Sequence, residues 1–511
     1  MIEKCRREKN RRHHCRTRSK SILKRTSAMS GNKKKSQNVK KSSLLLWTLL
    51  SGFMAACVLA YVLRSSEDVV YSDYIRLVNE YLPNVLDIKK VLVPDILTRT
   101  PIAYLFRIVN VYLFHYSVTF DRVLNVLFLM ASSVVLLKYG IEEKINRWFL
   151  LFLLLLLYSL SKAEMLINGT GYPHYLSYVL FYLHFYLIDH FFEKGLAKKS
   201  VLLLCAVPCV TILLVSGPYC AVYAVTVLLI YILLFREKKE ISRNDQIILM
   251  AGIVVPFLLY LISNSFAVEE TPGMFDVSLA RIITEAPDYI VRFLLKGFAS
   301  AAIDGEWLQS MELDGIISTG CIYAFGGLVF LGYLASFYIY FKEGFQHKTL
   351  LPLALLLLGF GSHLIVFLGR YAFLMDEYSM SSRYFLQYQQ GLLGILLTTA
   401  LFVRKKTGTG FRKTKDSFLY RRSRAVVVLA VTTIIAGNIA SCVYEIQGMR
   451  DRKEVFQILK AVELDYRTKS DDLLNDLFEY GAGAEKIRSA FGILEENQLN
   501  VFYDKTEIEE R

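Results

Sequence analysis

Apolar residues fall along this chain in long blocks separated by polar and charged stretches. Blocks of about 17–25 residues cross a hydrocarbon core of about 30 Å as helices. Eleven are marked: 44–63, 118–138, 147–162, 174–192, 200–216, 219–235, 247–264, 319–341, 350–369, 386–403 and 425–444. Ser216-Gly217-Pro218 reads as a tight outer turn between the fifth and sixth. Lipid offers no partner to a free backbone N–H, so helices are the expected form of every block. No alternating ten-residue pattern points to an outer-membrane barrel. The expected fold is all-α: a polytopic helical membrane protein of about eleven transmembrane helices.

Composition agrees with the pattern. Of 511 residues, 54% are hydrophobic and 21% charged, and the mean hydropathy is +0.36. Soluble domains, a disordered chain, a disulfide scaffold and a collagen-like repeat are excluded. The net charge of +14 resembles a nucleic-acid footprint until it is mapped. Residues 1–43 hold sixteen Lys/Arg and two acids, which keeps the N-terminus cytoplasmic. Alternating from there, the inner segments carry 35 Lys/Arg against 10 acids, and the outer ones 21 against 34. The basic tail is therefore an orientation signal with some lipid attraction, and no nucleic-acid partner is expected. An odd number of spans puts the C-terminus outside, in a plasma membrane. Met29 offers a second natural start. The expected organisation is a basic tail 1–43, a transmembrane domain 44–445 with long outer loops 64–117 and 265–318, and a small outer helical tail 446–511.

The eight cysteines, at 5, 15, 57, 205, 209, 220, 321 and 442, have no metal-ligand spacing and form no disulfide framework. No P-loop or G-x-G-x-x-G is present, which removes ATP-driven pumping by this chain alone.

The first outer loop opens Ser65-Ser66-Glu67-Asp68-Val69-Val70-Tyr71-Ser72-Asp73-Tyr74. Three amphipathic stretches follow: Ile75, Val78, Tyr81 and Leu82 ending at Pro83; Val85, Ile88, Val91 and Leu92 ending at Pro94; and Pro101 to Tyr116 with Arg107 and Asn110. Such helices lie in the interface plane, so an acidic cluster sits outside the first span over an interfacial floor. Late in the chain, Arg370 and Tyr371 close span nine, and Ser381-Ser382-Arg383-Tyr384 open span ten. Activating a sugar hydroxyl needs a carboxylate near the acceptor proton. Releasing a lipid phosphate needs fixed positive charge where negative charge develops, and the arginine fork bonds two phosphate oxygens at once.

This arrangement resembles the GT-C class of membrane glycosyltransferases, which take a sugar from a polyprenyl-phosphate carrier on the non-cytoplasmic side. The resemblance covers roughly residues 44–400 and is architectural. It implies an inverting transferase in cell-envelope polysaccharide biosynthesis, with Asp73 as general base and Asp68 or Glu67 as substitutes. The family often has an adjacent acidic pair, whereas Glu67-Asp68 here lies five residues before Asp73. On this reading Arg383, Arg370 and Tyr384 hold the carrier phosphate. The partners are a polyprenyl-phosphate-linked sugar, a glycan, lipid or protein acceptor, and membrane lipids.

Other residues carry alternatives. Tyr175, Tyr178, Tyr182 and Tyr186 form one helical stripe, either a prenyl groove or a packing seam. Glu164 and His174 bracket a small outer loop and could border a sugar site or merely meet solvent. His363 lies mid-span, Asp121-Arg122 is an internal pair or a cap, and Asp189-His190 lies at the inner end of span four. Asp304-Gly305-Glu306-Trp307, Glu312 and Asp314 suit a lid, a weak divalent-cation cluster or a solvated face; no dedicated metal site is read. The competing functions are a lipid-linked glycan flippase or transporter, which predicts broken helices at mid-membrane, a polysaccharide polymerase or ligase, and a non-catalytic membrane protein.

Overall fold

The computed structural model describes residues 41–92, 94–95, 98–194, 197–215, 217, 219–265, 275–408, 418–478 and 483–503. Residues 1–40 of the basic tail, and Ser216 and Pro218 of the expected outer turn, lie outside them. Apart from a two-residue antiparallel ladder, Pro94–Asp95 with Thr98–Arg99, the regular structure among the described residues is helical.

In chain order the helices are α1 (Lys41–Ser65), α2 (Asp73–Tyr81), α3 (Pro101–Phe114), α4 (Val118–Glu142), α5 (Arg147–Leu157), α6 (Ala163–Ile167), α7 (Tyr172–Lys194), α8 (Lys198–Val210), α9 (Cys220–Glu237) and α10 (Arg243–Asn264). Then come α11 (Leu279–Glu285), α12 (Pro287–Ala302), α13 (Gly305–Leu313), α14 (Thr319–Lys342), α15 (Leu351–Arg370), α16 (Phe385–Gly408), α17 (Phe418–Gln447), α18 (Met449–Leu464), α19 (Asp471–Phe478) and α20 (Ala484–Glu496).

Among the described residues nine helices are long and apolar enough to cross a membrane. The expected third and fourth spans are the two that fall short, for different reasons. Eleven residues of α5 reach only about 16 Å. Beyond Leu157 the chain leaves the helix, and the buried Lys162 Nζ donates to the carbonyls of Leu157 (2.7 Å) and Ser159 (2.9 Å). Irregular backbone at that depth is tolerated where protein surrounds it, and Ser159, Ser161 and Lys162 are fully buried. Helix α7 has 23 residues, but its tyrosines and histidines dilute the hydropathy. It packs against α4 and α8, and a helix that faces protein needs less apolar character than one that faces lipid.

At the centre stands α16, almost wholly buried. Gln387, Gln389, Gln390, Thr398 and Thr399 point into protein, and Gly391 and Gly394 let α15 approach closely. A Cβ on Gly391 would strike the Tyr333 side chain, and one on Gly394 would meet Leu356 at 2.7 Å. Small residues at the seam are how helices associate where lipid removes the hydrophobic drive between them. Helices α1 and α10 sit at the rim, with Leu45, Leu46, Phe53, Val255 and Ile262 turned outward.

The loops differ from the sequence picture in two places. Helix α2 forms as expected, but its apolar face is covered by α20 of the tail and not by the membrane interface. The Asn79 amide donates to the Lys486 carbonyl (3.0 Å), and Ser489 donates to the Asn79 oxygen (2.7 Å). The second amphipathic stretch shrinks to a 3₁₀ turn, Ile88–Leu92. The third is α3, which still presents Leu105, Tyr112 and Leu113 outward, as an interfacial helix does. In the second long loop α12 starts at Pro287, where the break is expected, but it enters the bundle against α14, α15, α16 and α17. It does not lie over the surface as a lid.

Candidate functional site

The expected base, Asp73, opens α2. The preceding Ser72 has φ of 52° and ψ of −128°, a conformation that costs a non-glycine residue about 1–3 kcal/mol. It is held there by the tail, because the Ser72 N–H donates to the Phe478 carbonyl at 3.0 Å. Asp73 is half-buried and accepts no hydrogen bond from the described residues. Its charge acts on the guanidinium of Arg383, second among the carboxylates there to that of Glu164. So the early-loop acid and the late-loop arginine, 310 positions apart in sequence, share one electrostatic neighbourhood.

Arg383 Nε donates to Glu164 Oε1 in a close ion pair. Ser381 and Ser382 hydroxyls add bonds of 3.3 and 3.4 Å to the other Glu164 oxygen. Glu164 is on α6, which the break after α5 presents to the start of α16. From the opposite side, Glu306 of α13 accepts the Ser382 N–H at 3.4 Å. Arg383 keeps 39% of its side-chain surface exposed and Glu306 is also exposed, yet protein surrounds both on most sides. Both thus sit among protein atoms with part of the side chain open to solvent, and this partly open ground is termed the recess. Burial, then the neighbouring Glu164 carboxylate, pushes the Glu306 pKa up.

Arg370 is the second cation. Its Nε donates to the Tyr384 hydroxyl at 2.6 Å, and its guanidinium lies 5.5 Å from the Phe373 ring centre. No carboxylate pairs with it among the described residues. Tyr219 stands in the field of Tyr384, Arg370 and Arg383 together, and the His174 ring meets the Tyr219 ring edge-on at 5.5 Å. Arg370, Arg383, Tyr384, Glu164 and His174 are thus linked through shared neighbours.

No family model matches the chain, and no curated protein or solved structure matches it. The site is therefore argued from its own chemistry.

The other acids of the first loop hold the fold. Asp68 accepts from Ser117 Oγ (2.7 Å) and from the N–H groups of Val118 (2.6 Å) and Thr119 (3.1 Å), capping α4. Glu67 pairs with Lys453 of α18 at 2.6 Å. Asp121 and Arg122 do not pair with each other. Asp121 binds Arg107 (2.6 Å) and the Tyr74 hydroxyl (2.7 Å), while Arg122 donates to the carbonyls of Ile167 and Glu67, each at 2.6 Å. Asp189, far from the recess, accepts the Leu350 N–H at 2.6 Å.

The tyrosine stripe lies inside the bundle. Tyr175, Tyr178 and Tyr182 are buried, and Tyr182 donates to Gln390 of α16. Here the stripe packs against neighbouring helices inside the bundle. His363 is buried between Tyr388, at 3.9 Å between ring centres, and Phe298, at 4.0 Å. Among the described residues no three His, Cys, Asp or Glu side chains gather as a metal site.

Sequence reasoning undervalued the α13 acids. Asp304 accepts the Trp307 N–H at 2.9 Å, and burial followed by the Glu306 charge pushes its pKa up to about 8. Glu445, at the C-terminal end of α17, pairs with Arg452 at 2.7 Å and acts on both Asp304 and Glu306. The Asp304-Gly305-Glu306-Trp307 run was the available signal. Nothing local in it says that it faces the Ser381–Arg383 turn.

Proposed function

We propose that the chain is a membrane glycosyltransferase that moves a sugar from a polyprenyl-phosphate carrier to a glycan, lipid or protein acceptor on the extracytoplasmic face. The observation that carries the proposal is that the Asp73 charge acts on Arg383, which is paired with Glu164 and lies beside Glu306. Asp73 has the open valence of a base: it is half-buried, near fixed positive charge, and bonded to no donor among the described residues. It takes the proton of the acceptor hydroxyl as that oxygen attacks the anomeric carbon. The bond from carbon to the carrier phosphate breaks, and the phosphate leaves with the electron pair. Arg370, oriented by Tyr384, and Arg383 stabilise the negative charge that develops there. Glu164 holds Arg383 in place until phosphate competes for it. Asp68 and Glu67 have no part in this chemistry, since helix α4 and Lys453 already occupy them.

A second reading, a lipid-linked glycan flippase, is favoured by one observation: the interruption of α5 at Leu157 with the buried Lys162 behind it. Broken helices at membrane depth are a transporter feature.

Membrane vesicles given labelled polyprenyl-phosphate sugars separate the two. A transferase moves label to an acceptor, and Asp73→Asn lowers that rate by at least about a hundredfold, within the contribution of a positioned base. Equal transfer by Asp73→Asn removes Asp73 as the base. Label crossing the membrane without transfer supports the flippase.

A further inference from the structure

At the end of the bundle remote from the Asp73 recess, a cavity of about 750 Å³ opens between α14, α16 and α17. Its volume lies within the about 300–1,000 Å³ of small-molecule sites. Its walls are apolar: Ile339 of α14, Phe402 and Val403 of α16, and Val428 and Leu429 of α17. Val428 and Leu429 are more than half exposed, so the cavity is a groove open to the surroundings of the bundle, where lipid lies. Two features make it more than an apolar gap. Arg421 and Arg424 stand at one end. The Thr398 hydroxyl, on the wall and 1% exposed, has no hydrogen-bond partner among the described residues.

Among the described residues, the basic side chains around the groove outnumber the acids paired with them. Arg404 pairs with Glu143 at 2.7 Å, and Lys405 and Lys406 share Glu343 at 2.6 and 3.8 Å. Arg421, Arg422 and Arg424 follow at the start of α17. Arg422 is taken up by the Phe418 ring at 4.0 Å. Arg421 is exposed and bonds to no acid among the described residues. Arg424 lies 5.3 Å from the centre of the Phe402 ring, which fixes its guanidinium over the groove wall.

We infer that this groove binds one anionic glycerophospholipid, its phosphate at Arg421 and Arg424 and an acyl chain along Val428, Leu429 and Phe402. Basic pockets between transmembrane helices take lipid headgroups in this way, and the acyl chain is the ligand part that fits an apolar, lipid-facing wall. A free phosphate matches the two arginines but leaves that wall unused. The inference is independent of the transferase proposal.

The test is native mass spectrometry of the purified full-length chain after exchange into detergent with phosphatidylglycerol, phosphatidylcholine, or phosphatidylglycerol plus excess inorganic phosphate. One phosphatidylglycerol is expected to stay bound per chain, phosphatidylcholine to be lost, and phosphate not to displace the lipid. Arg421→Gln with Arg424→Gln lowers retention by about tenfold or more, whereas Arg422→Gln, beside the groove, leaves it unchanged. Ala425→Trp, which fills the groove without removing charge, lowers retention too and serves should the double variant not fold. Equal retention of the two lipids, displacement by phosphate, or undiminished retention in both the Ala425→Trp and the double-arginine variants overturns the inference.

Discussion

Asp304 has one carboxylate oxygen on the Trp307 N–H and the other buried without a partner among the described residues. Burial and the Glu306 charge raise its pKa from 3.8 to about 8, so the folded chain holds a proton there that the unfolded chain releases. Between those two values the native state binds more protons, and stability falls as pH rises. The contribution is complete below the unfolded value and lost once pH passes about 8. Asp304→Asn keeps a capping side chain and removes the titration. Thermal unfolding of the purified protein at pH 5 and pH 8.5 is expected to show a larger drop for the wild type than for the variant; equal drops would reject the assignment. The same scale separates Asp68 from Asp73. Both are loop aspartates five positions apart, and in sequence both qualify as the base. Only the donors decide: four converge on Asp68, none among the described residues on Asp73.

Among the elements, α16 shows what packing requires of a helix inside a membrane bundle. Its Gly391 touches Tyr333 of α14 and faces Gly359 of α15 so closely that no Cβ fits. Gly391→Ala is expected to destabilise the bundle by about 1–3 kcal/mol, the usual cost of overpacking. Gly327→Ala on α14, with nothing within 4 Å, is expected to be neutral or slightly stabilising. Melting curves followed by size-exclusion chromatography check both, and equal melting temperatures would contradict the packing described. The blocks that became α1, α14, α15 and α17 were legible because lipid-facing helices must be apolar over their whole length. The third block was not, since the stop at Leu157 depends on Lys162 turning back to cap carbonyls, and a leucine run carries no sign of that. Helix α7 was legible as a helix, while its tyrosine stripe was ambiguous because groove and seam use the same residues at the same spacing.

For the whole molecule, the first loop and the tail are one assembly. The tail binds the first loop at several points, among them Phe478 at Ser72, Glu463 at Val70, Lys453 at Glu67, and Lys486 and Ser489 at Asn79. Asp73 is therefore positioned by residues about 400 positions away, and no local pattern could place it. The Glu164–Arg383 pair, separated by 219 positions, was equally hidden, although both members were singled out for separate jobs. The central claim is that the early-loop acid and the late-loop arginine face one outer recess. Thiol crosslinking tests it without any assumption about substrate. In a background lacking the eight native cysteines, Asp73→Cys with Arg383→Cys is treated with a short membrane-impermeant bismaleimide added from outside. The account predicts efficient intramolecular crosslinking of that pair and none for Asp73→Cys with Glu343→Cys, whose second position lies at the far end of α14. Failure of the 73–383 pair to crosslink in a chain that still elutes as a folded species would contradict it.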